Sequence, residues 1–187
     1  MTLQDIYEDI ARLTREKYPE RVPVFGDGDP NAEVVLIGEA PGEQETKQGR
    51  PFVGKAGKNL DEFLALAGMD RSALYVTNTV KFRPTKRSKA GNEVNRPPTK
   101  EEIRDYLPFL LRELELIRPK YTVTLGNTPL QALAGKGVTV GEAHGALTEA
   151  RGFCIYPMYH PASLIYNPSL RPVYKADIVR FAQLLKT

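Results

Sequence analysis

Four short runs of apolar, largely β-branched residues are spread along this chain and separated by stretches of helical periodicity. They constrain its fold more than any other feature. The runs are Glu33-Val34-Val35-Leu36-Ile37-Gly38, Leu74-Tyr75-Val76-Thr77, Tyr121 to Leu125 and Phe153 to Met158. Apolar runs without polar alternation read as strands buried on both faces. Leu3, Ile6, Tyr7, Ile10 and Leu13 keep helical spacing, which predicts a helix from Leu3 to about Lys17, stopped by Tyr18-Pro19. Leu60, Phe63, Leu64 and Ala67 mark a second helix, closed by Gly68. Thr99 and Glu102 form a capping box for a third, with Ile103, Leu107, Leu110, Leu111, Leu114 and Ile117 on its apolar face and a kink expected at Pro108. Short helices follow over Thr128 to Leu133 and around Ile178, Phe181 and Leu185. Strand and helix alternate with no repeat and no domain break. The expectation is one α/β domain over residues 1–187, a three-layer α/β/α sandwich around a short, mostly parallel four-stranded sheet.

At 187 residues, with 41% hydrophobic and 26% charged residues, the chain has the make-up of a soluble globular domain with a sizeable core. No apolar run reaches the roughly 20 residues of a membrane span, and the N-terminus carries no apolar signal core, so a cytoplasmic setting is expected. Cys154 is the sole cysteine, which rules out an internal disulfide and any thiolate-built zinc or iron–sulfur site. The net charge of +3 says little, but its distribution says more. Lys81 to Lys100 holds seven basic residues against Glu93 alone, an excess of +6 that leaves the rest of the chain at −3. Such a loop is either a local phosphate contact or a solvated face.

In open α/β sheets ligands sit beyond the carboxyl ends of the strands. Chemistry is therefore expected after Gly38, Asn78, Gly126 and His160. The Gly-rich stretch from Gly38 to Gly57 lets backbone amides approach a ligand, yet it contains neither Gly-x-Gly-x-x-Gly nor Gly-Lys-Ser/Thr. It serves as a cradle or as a tight structural loop. Asn78 offers a donor and an acceptor that can pair with the edge of a base, or else cap a turn. His160, ahead of Pro161, is as compatible with a structural role as with a catalytic one. The combination is more specific, because three polar groups at three strand ends would converge on one edge of the sheet.

Four blocks carry a resemblance. Gly38-Glu39-Ala40-Pro41-Gly42, Gly49-Arg50-Pro51-Phe52-Val53-Gly54-Lys55-Ala56-Gly57, Thr77-Asn78-Thr79-Val80-Lys81 and His160-Pro161-Ala162-Ser163-Leu164 resemble, in order and spacing, the motifs of the uracil-DNA glycosylase superfamily. The similarity is to family four, whose members bind a four-iron cluster, and it runs from about Val24 to Leu185. It implies a monofunctional glycosylase that removes uracil from single- or double-stranded DNA, leaving an abasic site, with uracil as product. By the same resemblance Glu39 would orient the attacking water, the Ala40 amide would contact uracil, and Glu45 would obstruct a 5-methyl group. Phe52 would stack on the flipped base, Asn78 would bond its O4/N3 edge, and His160 would donate to O2. Ser163, Leu164, Ile165 and Tyr166, within a loop from Pro161 to Arg171, would wedge into the duplex. Lys81, Arg83, Lys86 and Arg87 would join Arg171 as DNA contacts.

The chain departs from that family in its cysteines. Ala11 to Thr14 stands where an N-terminal Cys-x-x-Cys would fall, Phe82 at the third ligand position and Tyr106 at the fourth. Packing of Phe82 and Tyr106 against each other and the first helix is expected to replace the metal, the other reading being that Phe82 is a surface residue. No cofactor, no membrane partner and a monomer are expected. Two alternatives to uracil excision stand beside it: a glycosylase for another deaminated base such as hypoxanthine, and a non-catalytic DNA-binding homologue. The joint presence of Glu39, Phe52, Asn78 and His160 counts against the latter.

Overall fold

A computed structural model describes all residues, Met1–Thr187. In chain order the elements are α1 (Leu3–Lys17), β1 (Asp27–Gly28), β2 (Val34–Gly38), α2 (Glu43–Gln48), α3 (Lys55–Leu66) and β3 (Tyr75–Asn78). Then come β4 (Thr85–Arg87), β5 (Glu93–Asn95), α4 (Lys100–Ile117), β6 (Tyr121–Leu125), α5 (Asn127–Ala134) and α6 (Val140–Ala143). The chain closes with β7 (Thr148–Ala150), β8 (Phe153–Met158), α7 (Ser163–Tyr166) and α8 (Arg171–Leu184).

The main sheet runs in the order β1-β3-β2-β6-β8-β7. Its inner strands β3, β2, β6 and β8 are mutually parallel and are the four expected from the apolar runs. The short antiparallel strands β1 and β7 extend the sheet at its two edges, making six strands rather than four. At two and three residues, they are too short to carry an alternation signal.

Both faces of the sheet are covered, as an apolar run without alternation requires. Val34 and Leu36 point into one layer with α3 and α8, where Leu60, Phe63, Tyr174 and Phe181 pack. Val35 and Ile37 point the other way, against Leu110, Leu114 and Ile117 of α4 and Leu130 and Leu133 of α5. A third cluster lies under α1, where Ile6 and Ile10 meet Val80, Phe82 and Tyr106. Helix α1 carries a capping box from Thr2 and Asp5, and the one expected for α4 forms between Thr99 and Glu102. Helix α4 runs from Lys100 to Ile117 with Pro108 inside it. Pro108 is exposed, and so is Arg104, whose carbonyl loses its donor there.

Two segments read as loops hold regular structure. The Gly-rich stretch after β2 contains α2, and the basic segment folds into the antiparallel hairpin β4–β5 with Thr85 opposite Asn95. The connection from β2 runs to β3 on one side, and the next strand, β6, lies on the other side of β2. The order therefore reverses between β2 and β6, where open α/β sheets open a crevice for ligands.

Candidate active site

The carboxyl ends of the inner strands open into a cleft of about 730 Å³. Glu39, Ala40, Glu45, Phe52, Asn78, His160 and Ser163 all line it. Asn78 ends β3 directly opposite Gly38 on β2, and is 4% exposed. Its side-chain amide makes no hydrogen bond inside the protein, so donor and acceptor both remain available to a ligand. Gly38 permits this arrangement: a Cβ there would lie 2.4 Å from Asn78 Oδ1 and 2.6 Å from Phe52 Cζ. The glycine thus lets the amide and the ring converge over the strand end.

Phe52 is buried, with its ring centroid 5.7 Å from that of His160. The imidazole of His160 is fixed in one tautomer. Its Nδ1 accepts from the Ala162 amide at 3.0 Å, so in the neutral ring the proton resides on Nε2. Burial holds its pKa down to about 4, against a smaller opposing pull from the Glu45 carboxylate. At neutral pH the site therefore presents an uncharged N–H donor.

Glu45 is anchored by three backbone amides. One oxygen accepts from Gly42 at 3.2 Å, and the other from Val53 at 3.2 Å and Gly54 at 3.0 Å. This carboxylate ties the two ends of the α2 segment together and forms a fixed wall of the cleft. Glu39 is oriented across the crevice by the Thr128 hydroxyl, which donates to its Oε2 at 2.5 Å. Thr128 lies in the first turn of α5, so the bond joins the segments after β2 and β6 at the point where strand order reverses.

Not every expected DNA contact faces solvent. Lys81 is fully buried, its ammonium 2.5 Å from Glu113 and 2.7 Å from the Thr77 hydroxyl. It cannot touch a phosphate, because Val80 to Phe82 passes through the interior before the basic hairpin emerges. Glu113 also accepts from Tyr75, which pairs with Tyr7, so Lys81 belongs to a buried network beneath the site. Leu164 is likewise a core residue at 2% exposure, whereas Ile165 and Tyr166 beside it are 44% and 87% exposed. The apolar tip of that loop is thus Ile165-Tyr166. Arg83 is mostly covered and donates to Asn95 Oδ1 at 2.6 Å. Lys86 and Arg87 are exposed on β4. Arg171 is partly exposed at the start of α8, with Glu62 3.4 Å away.

The cleft also contains Tyr166 of the expected wedge, and Asn95, Asn127 and Thr128, which sequence pattern does not single out. The strand end after Gly126 is legible in the sequence, and that signal covers Asn127 and Thr128. Asn95 reaches the cleft only because the basic segment doubles back as a hairpin, which no short motif announces. With its oxygen engaged by Arg83, its amide nitrogen is left for the cleft.

Residues 25–183 match the family described as the uracil DNA glycosylase superfamily. The chain belongs to this superfamily. A type-4 uracil-DNA glycosylase of Sulfurisphaera tokodaii is 38% identical over 176 residues, covering 88% of this chain and 75% of the relative. That of Thermotoga maritima is 38% identical over 167 residues, covering 87% and 83%. The crystal structure of Pedobacter heparinus SMUG2 superposes with a TM-score of 0.55 at 13% identity, covering 83% of this chain and 75% of that one, a likeness of fold.

The iron–sulfur cluster implied by the family-four resemblance does not fit the residues of this superfamily member. Of the positions expected for its ligands, Thr14, Phe82 and Tyr106 meet under α1, and none supplies a thiolate. Phe82 and Tyr106 are fully buried and meet edge to face at 5.6 Å. Tyr18 packs on Phe82 at 4.9 Å, and the Thr14 and Tyr106 hydroxyls bond at 2.7 Å. Phe82 is therefore core, and the expected aromatic packing is present. Cys154 lies on β8, where it pairs with Glu149 of the edge strand β7.

Proposed function

We propose that this chain is a monofunctional uracil-DNA glycosylase, acting on single- or double-stranded DNA to leave an abasic site and free uracil. The observation that carries the reading is the convergence in one cleft of a buried ring, an unpartnered amide and a neutral Nε2–H donor, from Phe52, Asn78 and His160. The relatives named above support it, as does the family.

In this reading the target nucleotide leaves the stack and its base slides over Phe52. Asn78 accepts from N3–H and donates to O4, a pattern that cytosine reverses. Glu45, held rigid by its three amides, stands against a 5-methyl group and disfavours thymine. Water, oriented by Glu39, adds to C1′ as the C1′–N1 bond breaks, and the proton it sheds passes to the Glu39 carboxylate. The bonding pair leaves on uracil, and the charge spreads to O2, where His160 donates. A donor that is already neutral and already aimed costs no reorganisation at that moment, and such groups supply about 3–4 kcal/mol each. The exposed Ile165 and Tyr166 fill the space left in the duplex, and Lys86, Arg87 and Arg171 contact phosphates. The site is complete within one chain, which supports action as a monomer.

The test is incubation of the purified protein in EDTA with labelled strands containing uracil, hypoxanthine or thymine, followed by alkali. Strand scission confined to uracil is the expected result. Scission at hypoxanthine alone points to the other base, and binding without scission points to a non-catalytic homologue.

A further inference from the structure

Among the residues of the cleft, Phe52 has a strained backbone. Its φ of +53° lies in the left-handed region that a bulky aromatic residue rarely occupies. A strained conformation persists only where its surroundings hold it. Here the hold comes from outside the cleft. Arg71, in the turn before β3, donates from Nη1 to the Phe52 carbonyl at 2.8 Å and from Nη2 to the Pro51 carbonyl at 2.6 Å. The same guanidinium is fixed by Asp61 of α3 at 2.9 Å. On the other side α3 closes against the Phe52 carbonyl through Gly57, where a Cβ would lie 2.0 Å from that oxygen.

We propose that Arg71 is a positioning residue for base stacking: its fork clamps two consecutive carbonyls and so keeps the Phe52 ring facing His160 across the cleft. A planar guanidinium can bridge both carbonyls while keeping its acid partner; an ammonium, a point charge on a flexible stem, cannot reproduce that fork. The inference rests on the reading of the cleft as a uracil pocket only for the identity of the stacked base. The clamp itself is a property of the loop.

The experiment compares wild type, Arg71→Ala, Arg71→Lys, Phe52→Ala and the Arg71→Ala/Phe52→Ala double variant. Steady-state excision, inhibition by free uracil, thermal melting and amide hydrogen exchange over residues 50–57 are measured for each. Arg71→Ala is expected to raise KM and weaken uracil inhibition by about tenfold, the scale of one lost stacking contact, with a smaller change in kcat. Arg71→Lys restores less than half of that loss. In the Phe52→Ala background, removing Arg71 costs under about twofold more, since both changes act through one ring. Exchange in the 50–57 segment rises about tenfold in Arg71→Ala while the core amides are unchanged. Additive losses in the double variant overturn the proposal, as does Arg71→Ala with wild-type KM and wild-type exchange. If Arg71→Ala does not fold, Arg71→Lys alone and combined with Phe52→Ala carries the same comparison. Should wild type release no uracil, the functional reading fails, and the exchange measurement still decides whether Arg71 holds Phe52.

Discussion

The cleft at the strand ends and the aromatic cluster under α1 lie on either side of the segment Asn78 to Phe82, yet they hold their residues in different ways. In the cleft the two carboxylates and the imidazole are fixed by specific polar contacts: Glu39 by Thr128, Glu45 by three amides, His160 by the Ala162 amide. Under α1 the fixing is mostly apolar. Phe82, Tyr106, Tyr18, Ile6 and Ile10 fill the space, with one hydroxyl pair between Thr14 and Tyr106. Hydrogen-bonded geometry leaves little freedom to change residue type without changing function. Packing accepts any set of side chains that fills the volume. That difference explains how the cluster ligands of the resembling family can give way to aromatic residues while the cleft keeps its motifs. A staple exchanged for packing preserves the position of β3 and its following segment, and that position is all the cleft needs from it.

The comparison breaks if the aromatic cluster proves to be part of the chemistry. Phe82→Ala empties a fully buried site and is expected to cost about 3–5 kcal/mol of stability. Below its lowered melting temperature, the folded variant should retain kcat and KM close to wild type. Denaturant unfolding and steady-state excision, run side by side, check this. A variant that stays stable and loses activity would show that Phe82 acts on the cleft directly.

The reciprocal changes come next in size. His160→Ala and Asn78→Ala each remove one preorganised group, and a loss of about 10²–10³-fold in kcat is expected. Stability should change little, because neither side chain is central to the core clusters. Single-turnover excision with melting curves separates the two effects. Equal losses of stability and activity at these positions would erase the distinction between the regions.

Much of this division was legible in the sequence. Runs without alternation showed that the inner strands are buried on both faces, and the strand-end rule pointed to Glu39, Asn78, the segment after Gly126 and His160. What it could not show follows from how side chains leave the chain. Lys81 sits in a basic stretch and reads as surface, but its ammonium turns inward to Glu113, an acid on α4 32 residues away. Leu164 and Ile165 are adjacent apolar residues with nothing in pattern to separate them, and the short helix α7 sends one into the core and the other to solvent. The hairpin that delivers Asn95 depends on pairing between strands of three residues each, below the length at which periodicity speaks.

The neutral state of His160 sharpens the comparison through pH. Its folded pKa of about 4 lies below the roughly 6.5 of an unfolded histidine. Between those values the unfolded chain binds a proton that the folded chain refuses, so this residue's contribution is complete above about pH 6.5 and declines as pH falls to 4. The full loss is about 3 kcal/mol. Wild type is therefore expected to lose more stability than His160→Gln between pH 7 and pH 4.5 in denaturant titrations. An equal loss in both proteins would mean that His160 titrates normally in the folded chain.

The smallest expected effect comes from the hairpin β4–β5, which belongs to neither region. Lys86 and Arg87 are exposed there, while Arg83 and Lys81 are engaged with protein partners. Of these four, only the first two are free to neutralise phosphates. Each phosphate contact on duplex DNA contributes about 0.9 to the slope of log affinity against log salt. The double variant Lys86→Ala/Arg87→Ala should therefore flatten that slope by up to about 2, with kcat at saturating DNA unchanged. Lys81→Met, in contrast, should leave the slope at its wild-type value, because a charge sealed against Glu113 releases no counterions from DNA. Fluorescence anisotropy of a labelled duplex over a series of salt concentrations gives all three slopes. A flatter slope for Lys81→Met would mean that the segment from Val80 to Phe82 opens when DNA binds, coupling the basic hairpin to the buried network under the cleft.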